Sequence, residues 1–351
     1  MRFDFLATGI GSMPHTDPER GVDVVLANLP QAPMWPQFPR LDFREQMEPQ
    51  YAEGMPRLVF DAEKRRIHFD TTGDASEDLA AFYEVYLAAM ESGDCSALAL
   101  SPGHARGFHA LARRLAANGG KPPFVKGQTT GPVSFCLTVT DQDKRAIYYN
   151  DEFRDVAVKA LAMKTRWQAK TLAPLAERVI CFVDEPILSA FGSSTYVSVT
   201  RDDVVAILNE MAEAAHAEGA LMGAHCCGNT EWSILVDGGV DIVNFDAYEY
   251  GETIAMYPDA VRALFARGGA LAWGVAPSSA KVREETAASL ADRWERLADL
   301  LASKGLDRDE IARQAIITSS CGAGSLSVED AERIFGLIAE TSALLKQRYG
   351  F

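Results

Sequence analysis

The chain has 351 residues, with 34 Lys and Arg against 49 Asp and Glu, for a formal net charge of −15. That balance argues against a nucleic-acid backbone or an anionic membrane as partner, since both reward clustered cations. Hydrophobic residues make up 48%, enough for a large core, yet no run of about 20 apolar residues offers a bilayer span and Met1–Gly9 lacks a signal-type apolar stretch. The expected location is therefore the cytoplasm, where the six cysteines stay reduced and serve as metal ligands or core filler.

In chain order, short apolar runs at Phe5–Gly11, Ala97–Ser101, Phe124–Gly127, Val179–Asp184, Leu221–His225, Asp241–Asp246, Ala270–Val275 and Ala315–Thr318 read as strands. Amphipathic stretches at Asp78–Glu91, His104–Ala117, Asp151–Thr171, Arg201–Ala217, Ala280–Lys304 and Ser327–Arg348 read as helices. Buried strands alternating with longer helices imply parallel β/α units. Eight such strands predict a (β/α)8 TIM barrel, and the lack of a Gly-rich turn after the first strand weighs against a dinucleotide-binding sheet. With no low-complexity linker and no internal repeat, residues 1–351 are expected to form one domain. Pro30–Asp74 is irregular and Pro-rich at its start. It reads as an insertion over the C-terminal mouth, with a hairpin from Leu58–Asp61 and Arg66–Asp70.

Polar residues gather at strand ends: Ser12, Lys126–Thr130, Asp184–Glu185–Pro186, His225–Cys226–Cys227, Asp246 and Cys321. In a TIM barrel these ends converge on the mouth that holds the active site. His225 and Cys227, two apart, can face the same side of a strand end, and Cys321 follows the last strand, near to them once the barrel closes. Imidazole nitrogen and thiolate sulfur are the ligands Zn²⁺ takes in tetrahedral sites, and catalytic sites leave one position open. Asp246 is the oxygen candidate for that fourth position, with water as the alternative. A lone cysteine is more often core filler, the reading given to Cys95, Cys136 and Cys181; Cys226 should face away from its neighbours and pack.

Five motifs in the same order carry a resemblance over nearly the whole chain: Gly9-Ile10-Gly11-Ser12-Met13-Pro14, Lys126-Gly127-Gln128-Thr129-Thr130-Gly131-Pro132-Val133, Val183-Asp184-Glu185-Pro186, His225-x-Cys227 and Cys321-Gly322. The chain resembles the catalytic half of cobalamin-independent methionine synthase, in the superfamily that includes uroporphyrinogen decarboxylase and the methylcobamide:thiol methyltransferases. The decarboxylases lack the His-x-Cys pair and the late Cys. The resemblance implies a zinc-dependent transferase that activates a thiol, homocysteine in the family, to accept a methyl group and give methionine. It implies zinc ligands at His225, Cys227 and Cys321, with Asp246 where the family has a zinc-bound Glu. It also implies that Asp184 receives the substrate amino group, and that Ile10 and Ser12 belong to the substrate site, Ser12 toward the carboxylate.

Two departures qualify the resemblance. Full-length synthases carry a second, N-terminal half that helps to bind folate, and these 351 residues show no counterpart. The expected methyl donor is therefore a methylated corrinoid protein. Methyl-folate bound unaided is not expected; a local basic patch built from Lys126, Arg106 or Arg20 at the mouth would reverse that expectation. The family's second acidic substrate-binding residue also has no aligned counterpart; Arg44-Glu45-Gln46-Met47 is the nearest segment. Two alternatives keep the fold: a methylcobamide:thiol methyltransferase acting on another thiol, and a non-catalytic zinc- or tetrapyrrole-binding barrel.

Overall fold

A computed structural model describes residues 1–351. Its strands are β1 (Leu6–Ala7), β2 (Leu58–Asp61), β3 (Arg66–Phe69), β4 (Phe124–Thr130), β5 (Thr140–Asp141), β6 (Arg178–Asp184), β7 (Leu221–Cys226), β8 (Ile242–Phe245), β9 (Ala270–Ala276) and β10 (Ala315–Ser319). Seven of them form one curled parallel sheet in the order β1-β10-β9-β8-β7-β6-β4. The expected hairpin is present as antiparallel β2–β3, and β5 pairs with β3 to make a separate three-stranded sheet.

Two apolar layers flank the parallel sheet. On the concave side Phe3, Leu6, Ile10, Ala32, Phe124, Ile180, Phe182, Ile242, Ala270, Ala272 and Ile316 form an enclosed cluster. The two-residue spacing of Ile180 and Phe182 on β6 and of Ala270 and Ala272 on β9 is the inward face of a pleat. The convex face packs on helices, including Asp151–Leu172, Arg201–His216 and Val328–Tyr349, whose first turns are capped by Asn150, Thr200 and Ser327. Gly223 of β7 is glycine for want of room, since a Cβ there would lie 2.2 Å from the Phe182 ring. Gly223→Ala should therefore lower unfolding free energy by about 1–3 kcal/mol, the cost of overpacking, measured by urea denaturation.

The structure corrects two expectations. Ala97–Ser101 is not a strand: Ser96–Leu98 forms a 3₁₀ turn, and the Leu98 carbonyl accepts from the buried Lys164 ammonium, 3.1 Å away. The space between β4 and β1 is instead crossed by residues 31–37 of the supposed insertion. Phe124 and Lys126 donate backbone N–H bonds to Gln31 and Pro33, Trp35 donates to Lys126, and Gln37 donates to Gly11. The stretch Ala280–Lys304 is also interrupted. Residues 280–283 are 3₁₀, and the helix restarts at Ala287 because Thr286 and Ser289 form a reciprocal capping box.

Candidate metal and thiol site

The sheet places the strand-end residues side by side. Asp184, His225 and Asn244 are register partners on β6, β7 and β8. A cavity of about 250 Å³ opens over them, lined by Ile10, Ser12, Gln37, Pro39, Glu45, Met47, Tyr51, Thr130, Asp184, Pro186, His225, Cys227, Cys321 and Gly322. Thus Ile10, Ser12, Asp184, His225, Cys227 and Cys321 line one cavity. Pro39, Glu45, Met47 and Tyr51, from the irregular segment, wall the cavity.

One donor atom from each of His225, Cys227 and Cys321 lies within 4.8 Å of the other two. Tetrahedral zinc with bonds of about 2.0–2.3 Å needs such atoms about 3.3–3.8 Å apart, so modest side-chain rotations suffice to enclose an ion. The histidine is already set for this. Its Nδ1 is 2.5 Å from Asn244 Oδ1, and Asn244 donates its own amide hydrogens to the Ala272 carbonyl and Thr318 Oγ1, each at 2.9 Å. Asn244 must therefore accept, so Nδ1 carries the proton and Nε2 presents a lone pair. Nε2 is buried and has no hydrogen-bond partner. A second residue that fixes the tautomer of a metal-binding histidine is a common feature of zinc sites. Asn244→Leu should weaken zinc affinity by about 10–100-fold, read by competition with a chromophoric chelator.

The electrostatics suit a cation. The neighbouring Cys321 thiol and the His225 imidazole bring the Cys227 thiol down to about 4, whereas Cys321 is pushed up by Cys227 and by burial. Burial opposes protonation of His225, but Cys227 and Asp184 together raise it overall. Loop packing fixes the backbone at Cys321. Ser278 accepts the Cys321 N–H at 3.1 Å, and Gly322 lies so close to Ser12 that a Cβ would fall 2.1 Å from Ser12 Oγ.

Asp246 is the oxygen candidate for the fourth position, with water as the alternative. It is not part of the three-residue donor group. Its Oδ1 accepts the N–H groups of Tyr248 and Glu249, both at 2.9 Å, so the carboxylate caps its own turn in the manner of an Asx turn. Burial lifts it to about 6.

Asp184 Oδ1 and Thr130 Oγ1 are buried without hydrogen-bond partners, and both residues line the cavity. Burial raises the Asp184 carboxyl while His225 and Lys126 pull it down. Glu45, from the segment flagged for a second acid, also lines the cavity, but Oε1 holds Arg106 at 2.9 Å and Oε2 accepts the Phe38 N–H at 3.2 Å. No Lys or Arg lines the cavity. Lys126 is sealed in the interior with its Nζ 4.4 Å from the Phe182 ring centre and 3.1 Å from Gln128 Oε1. Arg106 is engaged by Glu45 and Asp42, and Arg20 by Glu332, so these three cations make no patch at the mouth.

Sequence reasoning missed Asn244 and Tyr51, and placed Thr130 only among the polar residues at the end of a strand. For Asn244 the signal was available, two residues before Asp246 on a strand end. Tyr51 lies in a segment without periodicity and gave none. The remaining cysteines, Cys95, Cys136, Cys181 and Cys226, are buried free thiols, as expected of packing residues.

No family model matches the chain, and no curated protein matches its sequence. Among solved structures, a methyltransferase from Methanosarcina mazei superposes with a TM-score of 0.52 at 14% identity, over 93% of this chain and 86% of that one. A B12-independent methionine synthase from Shewanella sp. W3-18-1, in complex with selenomethionine, gives 0.46 at 16% identity, over 69% of this chain and 66% of that one. At such identities the first likeness establishes shared architecture: this chain has the fold of the methanogen methyltransferase.

Proposed function

We propose that this chain is a zinc-dependent methyltransferase whose acceptor is the thiol of a small amino acid, homocysteine giving methionine, and whose donor is a methylated corrinoid protein. One observation carries the reading: His225 Nε2, Cys227 and Cys321 converge in the same small cavity as an unpartnered Asp184 carboxylate oxygen. A structural zinc site is closed by four protein ligands, whereas only three donors gather here. This favours catalysis over the non-catalytic reading. The absence of any lining Lys or Arg favours an acceptor with an ammonium group over a thiol bearing a sulfonate or phosphate.

Bound to the three donors, zinc supplies a Lewis acid that keeps the acceptor sulfur as a thiolate, the nucleophilic form. Asn244 holds the His225 ring so that Nε2 faces the cavity. Asp184 and Thr130 offer buried acceptors for the ammonium group, and Ile10, Pro39, Met47 and Pro186 exclude water around the methylene chain. In the transfer the sulfur–carbon bond forms as the donor–methyl bond breaks, and the thiol proton passes to solvent. Both thiolates and Asp184 make the site electron-rich, which suits a sulfur nucleophile.

We further read the fold as a single-domain (β/α)8 barrel of the methionine synthase-like superfamily in which residues 31–37, not Ala97–Ser101, stand as the second stave. Their bonds to both β4 and Gly11 support this. No helix is long and apolar enough to cross a membrane, and we place the protein in the cytoplasm, where its thiols stay reduced.

The test is an assay of zinc-loaded protein with L-homocysteine and either methylcobalamin or methyl-tetrahydrofolate, following methionine. Methionine should form with the corrinoid donor. Rapid turnover with methyl-tetrahydrofolate alone would refute the donor assignment; no methionine from either would refute the acceptor.

A further inference from the structure

Glu185 is fully buried and lies beside Asp184, yet it does not line the cavity. Its carboxylate turns back across the loop that follows β4: Oε1 accepts the Val133 N–H at 2.9 Å and Oε2 the Ser134 N–H at 2.7 Å. Gly131, whose φ of −69° and ψ of 137° suit any residue, is glycine because a Cβ would lie 2.1 Å from Glu185 Cδ. The backbone completes the tie. Gly131 donates to the Asp184 carbonyl and Glu185 donates to the His225 carbonyl, each at 2.8 Å, and Ile187 N–H reaches Ser134 Oγ at 3.1 Å. The first turn of helix Pro132–Thr138 and the ends of β6 and β7 therefore meet at Glu185, the first through its carboxylate and the last through its backbone N–H, with Thr130 and Asp184 immediately before the two tied segments.

We propose that Glu185 is a positioning residue: its carboxylate clamps the loop after β4 to the loop after β6 and fixes Thr130 and Asp184 at the spacing that receives the acceptor's ammonium group. This rests on the reading of Asp184 as the ammonium site. Without the carboxylate, two buried N–H groups lose their acceptors, and the end of β4 is held to Asp184 only by the Thr130–Asp184 ladder pairing and the Gly131 N–H bond, so the Thr130 side chain can shift from its place beside Asp184. Weakening a hydrogen bond to a charged group in this way costs on the order of 10–100-fold in affinity. The loss should fall on thiols that carry an amino group, because the thiol end is held from β7 and the loop after β10.

The experiment compares L-homocysteine with 4-mercaptobutanoate, the same acid without its amino group, on zinc-loaded full-length protein with methylcobalamin. Glu185→Ala should raise KM for homocysteine by about 10–100-fold while zinc content, and kcat and KM for 4-mercaptobutanoate, change by less than about twofold. Glu185→Gln, which keeps one acceptor oxygen, should fall between wild type and Glu185→Ala, and it serves alone if the alanine variant does not fold. Gly131→Ala, whose methyl group collides with the clamp, should reproduce the Glu185→Ala effect, and the double variant should add nothing further, as expected of two residues in one device. Equal losses for both thiols, loss of zinc in every variant, or effects of Gly131→Ala and Glu185→Ala that multiply would overturn the clamp. If wild type prefers homocysteine and Glu185→Ala keeps that preference unchanged, the clamp alone fails. If wild type methylates neither thiol, or shows no preference between them, the Asp184 reading fails and the clamp with it.

Discussion

Cys321→Ser is expected to abolish tight zinc binding and methyl transfer together while the chain stays folded. Each of three donors contributes a share of a binding free energy that reaches about 10–16 kcal/mol in structural zinc sites. Replacing one thiolate by a hydroxyl should remove about 3–5 kcal/mol, or roughly 10²–10⁴-fold in affinity. The fold should survive because Cys321 follows the end of β10 and is only partly buried, outside both apolar clusters. Cys226→Ser makes the control. Its thiol is buried and directed at the Gly228 carbonyl, 3.6 Å away, so the variant should keep its zinc and its activity. Metal analysis after gel filtration, with circular dichroism for the fold, checks both. Full zinc occupancy in Cys321→Ser would mean that the ligand set is wrong.

Asp184→Asn should weaken homocysteine binding by about 10–100-fold and leave zinc content near one per chain. The change is isosteric, so it tests charge without disturbing packing. The lost contact is a hydrogen bond between charged groups, worth about 1.5–3 kcal/mol, in a site where Oδ1 has no protein partner to replace the ligand. The neutral amide also presents N–H groups that cannot receive an ammonium ion. Titration calorimetry on the zinc-loaded variant reads the affinity. A variant that lost its metal and kept its affinity for homocysteine would reverse the roles assigned to Asp184 and the thiols.

The site was legible because its chemistry sits at strand ends, and strand ends were readable from apolar runs that stop at polar residues. Asp184, His225, Cys227 and Cys321 meet for that reason. Asp246 had the same credentials and still stands outside the donor group, since a carboxylate one residue beyond β8 finds two backbone N–H groups for its Oδ1 in its own turn. That competition is invisible without coordinates. The same holds for residues 31–37. Pro33 and Pro36 cannot donate to a ladder, so the stretch reads as loop, yet the carbonyls of Gln31 and Pro33 and the N–H groups of Trp35 and Gln37 are enough to join both neighbours. Ala97–Ser101 had the apolar run of a strand, but a short apolar run alone does not say which neighbour it will pair with. Tyr51 and Met47 reached the cavity from a segment without period, where only the folded chain shows which side chains turn inward.

The central claim, that three protein donors hold zinc with a position left for the acceptor thiol, is tested most directly by zinc K-edge X-ray absorption on the loaded protein before and after L-homocysteine. The account predicts one nitrogen at about 2.0–2.1 Å and two sulfurs at about 2.3 Å, with one oxygen from water completing the shell. Homocysteine should replace that oxygen by a third sulfur. A shell that holds four protein ligands beforehand, or one that gains no sulfur with homocysteine, would contradict the account.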